Sequence, residues 1–340
     1  MEQGSAEQGI DTKTVMTAGR RDSRVRVELT AVVIAVRGGD PYVLTVERPG
    51  RRGVSLPSGP LQPGHRSLQA GLRKWVENQT NCRLGYVEQL YTFGDRAALN
   101  TEGEDRVEHR SISIAYLALG AILSEDLPVQ GGWRPWYRFF PWEDMRLGEA
   151  ASRGAVLDRL GRWARKVGCL SDKDCVERVR LTFGIGESRW DEERALERYE
   201  MLYEAGLVGE AFFDRGGEPP SDIASLPGIS MFADHRRVVA TAISRLRAKI
   251  KYRPVLFELM PPTFTLSELQ KTAEALSGVL LHKQNFRRLI AQQELVEETG
   301  EVATDTGGRP AKLMRFRREV TLERPAPGVR VSATRRAGYP

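Results

Sequence analysis

From Leu266 to Arg317 the chain reads as helix, turn, basic helix and Gly-rich hairpin, and no other stretch constrains the fold so tightly. Thr265-Leu266-Ser267-Glu268 matches a capping box, in which the Thr hydroxyl and Glu carboxylate satisfy free amides at a helix start. Leu269, Ala273 and Leu276 then share one face, and Gly278 suits a tight turn. A second helix is expected from His282 to Gln292, with Phe286, Leu289 and Ile290 on its buried side. Lys283, Gln284, Asn285, Arg287 and Arg288 lie elsewhere on it. Glu294–Glu301 and Lys312–Arg318 then read as two strands joined through Gly307-Gly308-Arg309-Pro310 at a hairpin tip.

That order is the layout of a winged helix-turn-helix, which makes double-stranded DNA the first partner to consider. Gln or Asn pairs with adenine edges and Arg with guanine, while the remaining cations hold phosphates. Arg309 at the tip suits a minor groove or a phosphate, with Lys312 beside it. Thr265 and Ser267, at the start of the first helix, complete the DNA-facing set. Charge agrees: 20 Lys and Arg stand against 10 Asp and Glu from Arg236 to Pro340, whereas the first 235 residues carry 31 against 35. A polyanion partner for the last third follows. The competing readings are an amphipathic helix with solvated cations, a plain basic hairpin, or a module that packs on proteins.

The chain has 340 residues, room for two or three domains, and ordinary hydrophobic (41%) and charged (28%) content. No apolar run approaches the roughly 18 residues of a membrane span, so no membrane partner is expected. The stretch from Met1 to Arg24 lacks the apolar core of a secretory signal and reads as a disordered tail. Three cysteines without metal spacing suit a reducing, cytoplasmic location.

Strands are expected near Val25–Ala35, Tyr42–Val46, Leu90–Gly94 and Ser111–Leu119, with a helix over Arg66–Gln79. An aromatic-rich run from Trp133 to Trp142 closes this α/β unit near residue 150. Helical periodicity returns over Gly154–Val167 and Trp190–Leu207. Gly216–Pro227 reads as a linker, His235–Tyr252 as a helix, and Pro254–Met260 as its kinked continuation. The expected architecture is therefore α+β. It comprises an α/β sandwich over 25–150, a helical or linker region over 151–234, a winged helix domain over 235–320, and a disordered tail over 321–340.

Leu56-Pro57-Ser58-Gly59-Pro60, followed by the helix with Arg73 and Glu77, resembles the Nudix box. That family places Gly, five residues, Glu, seven residues, then Arg-Glu-X-X-Glu-Glu, and its carboxylates collect divalent cations. Here Gly59, Arg73 and Glu77 are kept, but His65, Lys74 and Asn78 replace the other three carboxylates. One carboxylate beside an ammonium does not make a hard-oxygen cation site, so no metal, no required cofactor and no catalytic residue is expected. The alternative is a working pyrophosphatase acting on ADP-ribose or a related dinucleotide. Nucleotide binding survives loss of the metal. Arg48, Arg51 and Arg52, with Ser58, Gly59, Arg73, Lys74 and Glu77, offer a phosphate-friendly cleft. Arg106, His109 and Arg110, placed on the loop before a later strand, extend it.

Together the two ends resemble the Nudix-related regulators of bacterial NAD metabolism, and within them the NAD-operon repressors. The matching stretches run from Val27 to Leu119, including Tyr91-Thr92-Phe93-Gly94-Asp95. They resume from His235 to Arg317, including Asn285-Phe286-Arg287-Arg288 and Gly308-Arg309-Pro310-Ala311-Lys312. The resemblance implies a homodimeric repressor of NAD-biosynthesis genes that binds a palindromic operator. An adenine nucleotide, ADP-ribose or ATP, would bind the Nudix fold and alter DNA affinity. Whether it releases or strengthens binding stays open. So does the work of the His235–Tyr252 helix, either as dimer contact or as packing between domains.

Overall fold

The strand from Arg26 to Arg37 is buried along most of its length, on both faces, and that makes it the centre of a layered structure. The computed structural model describes residues 25–47, 53–94, 97–99, 108–120, 132–146, 148, 151–166, 172–303, 310–323 and 328–329. Seven strands form one mixed sheet: β1 (Arg26–Arg37), β2 (Asp40–Thr45), β3 (Ser58–Pro60), β4 (Val87–Phe93), β5 (Ala97–Leu99), β6 (Glu108–Leu119) and β7 (Gly132–Pro135). The order is β4-β6-β1-β2-β7. β3 shares one edge of β1 with β2, and β5 pairs with β6. β1 runs parallel to β6 and antiparallel to β2.

Successive side chains of a strand point to opposite faces, and β1 uses both. Leu29, Ala31 and Val33 pack with Leu72 and Val76 of helix α1 (Leu68–Thr80), whose first turn is capped by Ser67. Val32 and Ile34 belong to the larger core on the opposite face. That face is closed by helices α2 (Ala151–Lys166), α3 (Asp172–Phe183), α4 (Ala195–Glu204), α5 (Glu210–Phe213), α6 (Ser221–Ala224) and α7 (His235–Ile250). A 3-10 turn over Pro254–Leu259 follows. The last unit comprises β8 (Phe264–Thr265), α8 (Leu266–Ser277), α9 (Lys283–Gln293), β9 (Val296–Ala303), β10 (Ala311–Phe316) and α10 (Val320–Glu323). Its three strands pair in the order β8-β10-β9.

Several expectations change. β3, β5 and α3 were not expected: two are three-residue strands, and α3 carries charged residues on most of its outward side. Residues 151–234, read as helical or linker, carry helices α2 to α6. Phe183, Tyr199 and Leu202 share one core with Trp136 and Ile243, and the Gly/Pro-rich stretch contains α6 and the buried Leu226. α7, expected to open the C-terminal unit, packs on α4, β1 and β4 as well as on α8 and the Pro254–Leu259 turn, with ten buried residues. The proposed tail over 321–340 begins as helix α10, and Val329 is fully buried, its amide donating to Ile250 O at 2.7 Å. The 1–24 tail lies outside the described residues. Among the described residues, no helix is long and apolar enough to cross a membrane. Cys82 is a buried free thiol.

The C-terminal unit is fastened to the rest through the end of α8. Tyr137 donates to Ala275 O (2.7 Å), Arg247 Nε to Leu276 O (2.8 Å), and the Met145 amide to Gly278 O (2.7 Å). Beneath them Glu143, fully buried, accepts from both Arg198 and Arg247. Burial alone would raise the Glu143 carboxyl, but the Arg198 and Arg247 guanidiniums more than reverse this and hold it below its usual value. Burial pushes the Tyr137 hydroxyl up to about 12, so it remains the neutral donor that the Ala275 carbonyl requires.

Candidate nucleic-acid interface and nucleotide site

α8 forms where the sequence says it should. Glu268 donates its amide to Thr265 Oγ1, and its carboxylate accepts from the Thr265 amide at 2.7 Å. Both polar groups of Thr265 are thereby committed, and the residue is buried. Thr265 thus serves as the helix cap and is not presented as a DNA contact, whereas Ser267 is exposed in the first turn. Gly278 ends α8 at φ 73°, in the left-handed region that favours glycine.

α9 is pinned by Phe286 and Ile290, with Leu289 half-buried. Lys283, Gln284, Asn285, Arg287 and Arg288 are all exposed. At about 100° per residue, Gln284 and Arg288 sit one turn apart at the centre of the outward face. Arg287 and Asn285 flank them, and Lys283 lies towards the edge. Among the described residues, Lys283, Arg287 and Arg288 have no ion-pair partner.

The wing differs. Lys312 lies on β10 and pairs with Glu298 of β9 at 2.8 Å, and Arg315 pairs with Glu297 at 2.6 Å. Arg317 reaches Glu323 at 3.0 Å. The β10 cations Lys312 and Arg315 are therefore internally neutralised by the acidic outgoing strand. These pairs were missed because they depend on the β9–β10 register, which includes a shift between Lys312 and Met314. Arg309 lies outside the described residues.

At the other end, the residues of the expected cleft divide into two groups. Ser58 is buried, donates to Glu28 Oε1 at 2.9 Å and is bracketed by the Gln79 amide. Gly59 leaves room for the Trp75 indole, which would lie 2.3 Å from an added Cβ. Arg73 donates to the carbonyls of Leu84 and Gly85, tying α1 to the chain that follows it. These three therefore help to hold the box together. Lys74, Glu77 and Asn78 are exposed on α1, and Glu77 pairs with Arg83 at 3.2 Å. His65 Nδ1 accepts from the Gln62 amide, and its ring packs edge-on to Trp75 at 6.3 Å. An open hollow of about 490 Å³ lies beside it, lined by Leu61, Gln62, Pro63, His65, Ser67 and Leu68. His109 and Arg110 stand within β6, opposite Ala98 and Ala97, and not on a preceding loop. Arg48, Arg51, Arg52 and Arg106 lie outside the described residues.

Residues 256–316 match the NrtR DNA-binding winged helix domain. Over 83 residues the chain is 42% identical to the ADPR responsive transcriptional repressor NtrR of Acinetobacter baylyi. That match covers 24% of this chain and a third (33%) of that protein's length. The fold is similar to the crystal structure of Shewanella oneidensis NrtR complexed with a 27mer DNA. The TM-score is 0.51 at 18% identity, covering 87% of this chain and 95% of that one. A second crystal structure of Shewanella oneidensis NrtR gives 0.50 and 18%, over 86% and 95%. The expected combination of a Nudix-like sandwich with a C-terminal winged helix is therefore the observed one.

Proposed function

We propose that this chain is a nucleotide-responsive transcriptional repressor. It binds operator DNA through α9 and senses ADP-ribose with its Nudix-like domain, and its targets are genes of NAD biosynthesis. The observation that carries this reading is the outward face of α9, where Gln284, Asn285, Arg287 and Arg288 project from a helix fixed by Phe286 and Ile290. The match of residues 256–316 to a DNA-binding winged helix supports it. The similarity to the ADPR responsive repressor of Acinetobacter baylyi favours ADP-ribose over ATP as effector.

The sensor does not hydrolyse its ligand. With His65, Lys74 and Asn78 where carboxylates belong, α1 offers Glu77 alone, and no divalent cluster forms to activate water. Lys74 supplies phosphate contacts, with Arg48, Arg51, Arg52, Arg106, His109 and Arg110 as further candidates. Two half-sites about one helical turn apart require two recognition helices, so the DNA-bound form is a homodimer. Because α7 is buried between layers, its packing role supports a dimer contact made elsewhere. The winged helix begins near residue 256, and 25–254 act as the sensing body.

A gel shift on the NAD-biosynthesis promoter tests the assignment. Arg287→Ala and Arg288→Ala should each weaken binding, and ADP-ribose should change the affinity of the unaltered protein. Undiminished binding by both variants would remove α9 as the recognition helix.

A further inference from the structure

α7 is hydrogen-bonded at both ends to the two regions that the proposed function must connect. At its first residue, the buried His235 accepts the Leu56 amide on Nδ1 at 2.9 Å. Leu56 leads directly into the Nudix turn at Ser58 and Gly59. The same strip is stitched to the entry of α7 by the Val54–Met231 bridge and by the Phe232 amide donating to Val54 O (2.9 Å). Twelve residues on, Arg247 places Nε on Leu276 O and Nη1 on Glu143. At 1.5 Å per residue the two bonds are about 18 Å apart along one helix.

The helix cannot slide easily between these ends. Arg236, one residue past His235, is fully buried, holds Glu210 at 3.2 Å and donates to Phe139 O, within the rings of Phe140, Trp142 and Tyr199. At the far end Arg247 and Arg198 share the one carboxylate of Glu143, and Trp190 covers Arg198 at 3.8 Å. Such buried charges are an inefficient source of stability, because apolar residues of the same volume often do as well. Their directional bonds fix register instead. Leu276 and Gly278 end α8 only a few residues before α9 begins at Lys283. A displacement of α7 at Leu276 is therefore carried to the face that meets DNA.

We propose that α7 is the rod coupling the Nudix turn to the DNA-binding unit, with His235 and Arg247 as its positioning residues at the sensing and output ends. This inference rests on the proposed function. A ligand that favours one position of the Leu56 strip would shift α8 through these two bonds, and it acts only to the extent that it binds the two positions differently. Contiguity alone does not establish coupling, so the coupling itself must be measured.

Full-length His235→Leu, His235→Asn and Arg247→Lys test the rod. Asn keeps an acceptor where Nδ1 stood, and Lys keeps a charge for Glu143 while losing the Nε bond to Leu276. The readout is the ratio of operator affinities with and without saturating ADP-ribose, with calorimetry of ADP-ribose as control. His235→Leu and Arg247→Lys should bring this ratio close to one, from a typical coupling of about 5-fold or more. His235→Asn should restore it, and Arg247→Lys should bind ADP-ribose as before. A full ratio in both His235→Leu and Arg247→Lys would overturn the rod.

Hydrogen exchange needs no ligand. His235→Leu should speed exchange at 54–58 and also at 276–281, with β1 and β6 unchanged. Acceleration confined to 54–58 would also overturn the proposal. If the unaltered protein bound no operator, or ignored ADP-ribose, the proposed function would fail instead, and the exchange pattern would still decide the rod.

Discussion

Gly278 carries two constraints at once. Its φ of 73° disfavours any side chain, and an added Cβ would lie 2.3 Å from the Glu143 carbonyl oxygen. The left-handed backbone costs roughly 1–2 kcal/mol for a non-glycine residue, and forced overpacking costs about 1–3 kcal/mol. Gly278→Ala should therefore destabilise the protein by several kcal/mol in chemical denaturation. A loss below about 1 kcal/mol would show that the junction yields easily. Glu298 is the opposite kind of residue, an exposed counter-ion held by Lys312. Such a pair adds little stability, but it competes with DNA phosphate for the same ammonium. Glu298→Gln should leave stability nearly unchanged, tighten binding to operator and unrelated duplex alike, and make binding more salt-sensitive. Lower affinity in a fluorescence anisotropy titration would refute this.

At the scale of the element, α9 was legible because its roles are set by local spacing: Phe286 and Ile290 face in, and the polar residues between them face out. The same logic placed α8 and its Thr265 cap, but it also offered the cap as a DNA contact, which its hydrogen bonds to Glu268 disfavour. The structural partners of Ser58, Gly59 and Arg73 were not legible for a related reason. Glu28, Trp75, Leu84 and Gly85 come together with them only in the folded chain. Glu143, Arg198 and Arg247 were invisible, being 55 and 104 residues apart in sequence with no motif to connect them.

Two predictions follow at this scale. Replacing Arg288 by Ala should reduce the dependence of log affinity on log salt by about 1, and an unchanged slope would place Arg288 away from phosphate. The Glu143 carboxyl is held below its usual value of 4.5, so its contribution is complete above that pH and is lost as pH falls through the lower, folded value. Stability measured from about pH 6 down to pH 3 should fall less steeply in Glu143→Gln. That variant should itself lose about 3–5 kcal/mol near neutral pH, because two buried guanidiniums lose their counter-charge. An identical slope would mean that Glu143 does not titrate with unfolding.

At the scale of the whole molecule, the sandwich and the winged helix are joined by a helical layer, and α7 runs through that layer from one to the other. On the proposed function, the basic C-terminal third and the altered Nudix box are two halves of one device, a sensor with a DNA-binding output. Nucleotide binding at the sensor half would then change DNA affinity at the other. The most direct measurement is fluorescence anisotropy of a labelled NAD-biosynthesis promoter duplex, titrated with the full chain at fixed salt, with and without ADP-ribose and with Mg²⁺ present throughout. Binding to the duplex should depend on salt, its affinity should shift about 5-fold or more on adding ADP-ribose, and the ADP-ribose should be recovered intact afterwards. Identical binding curves with and without the nucleotide, or its hydrolysis during the titration, would contradict the proposed function.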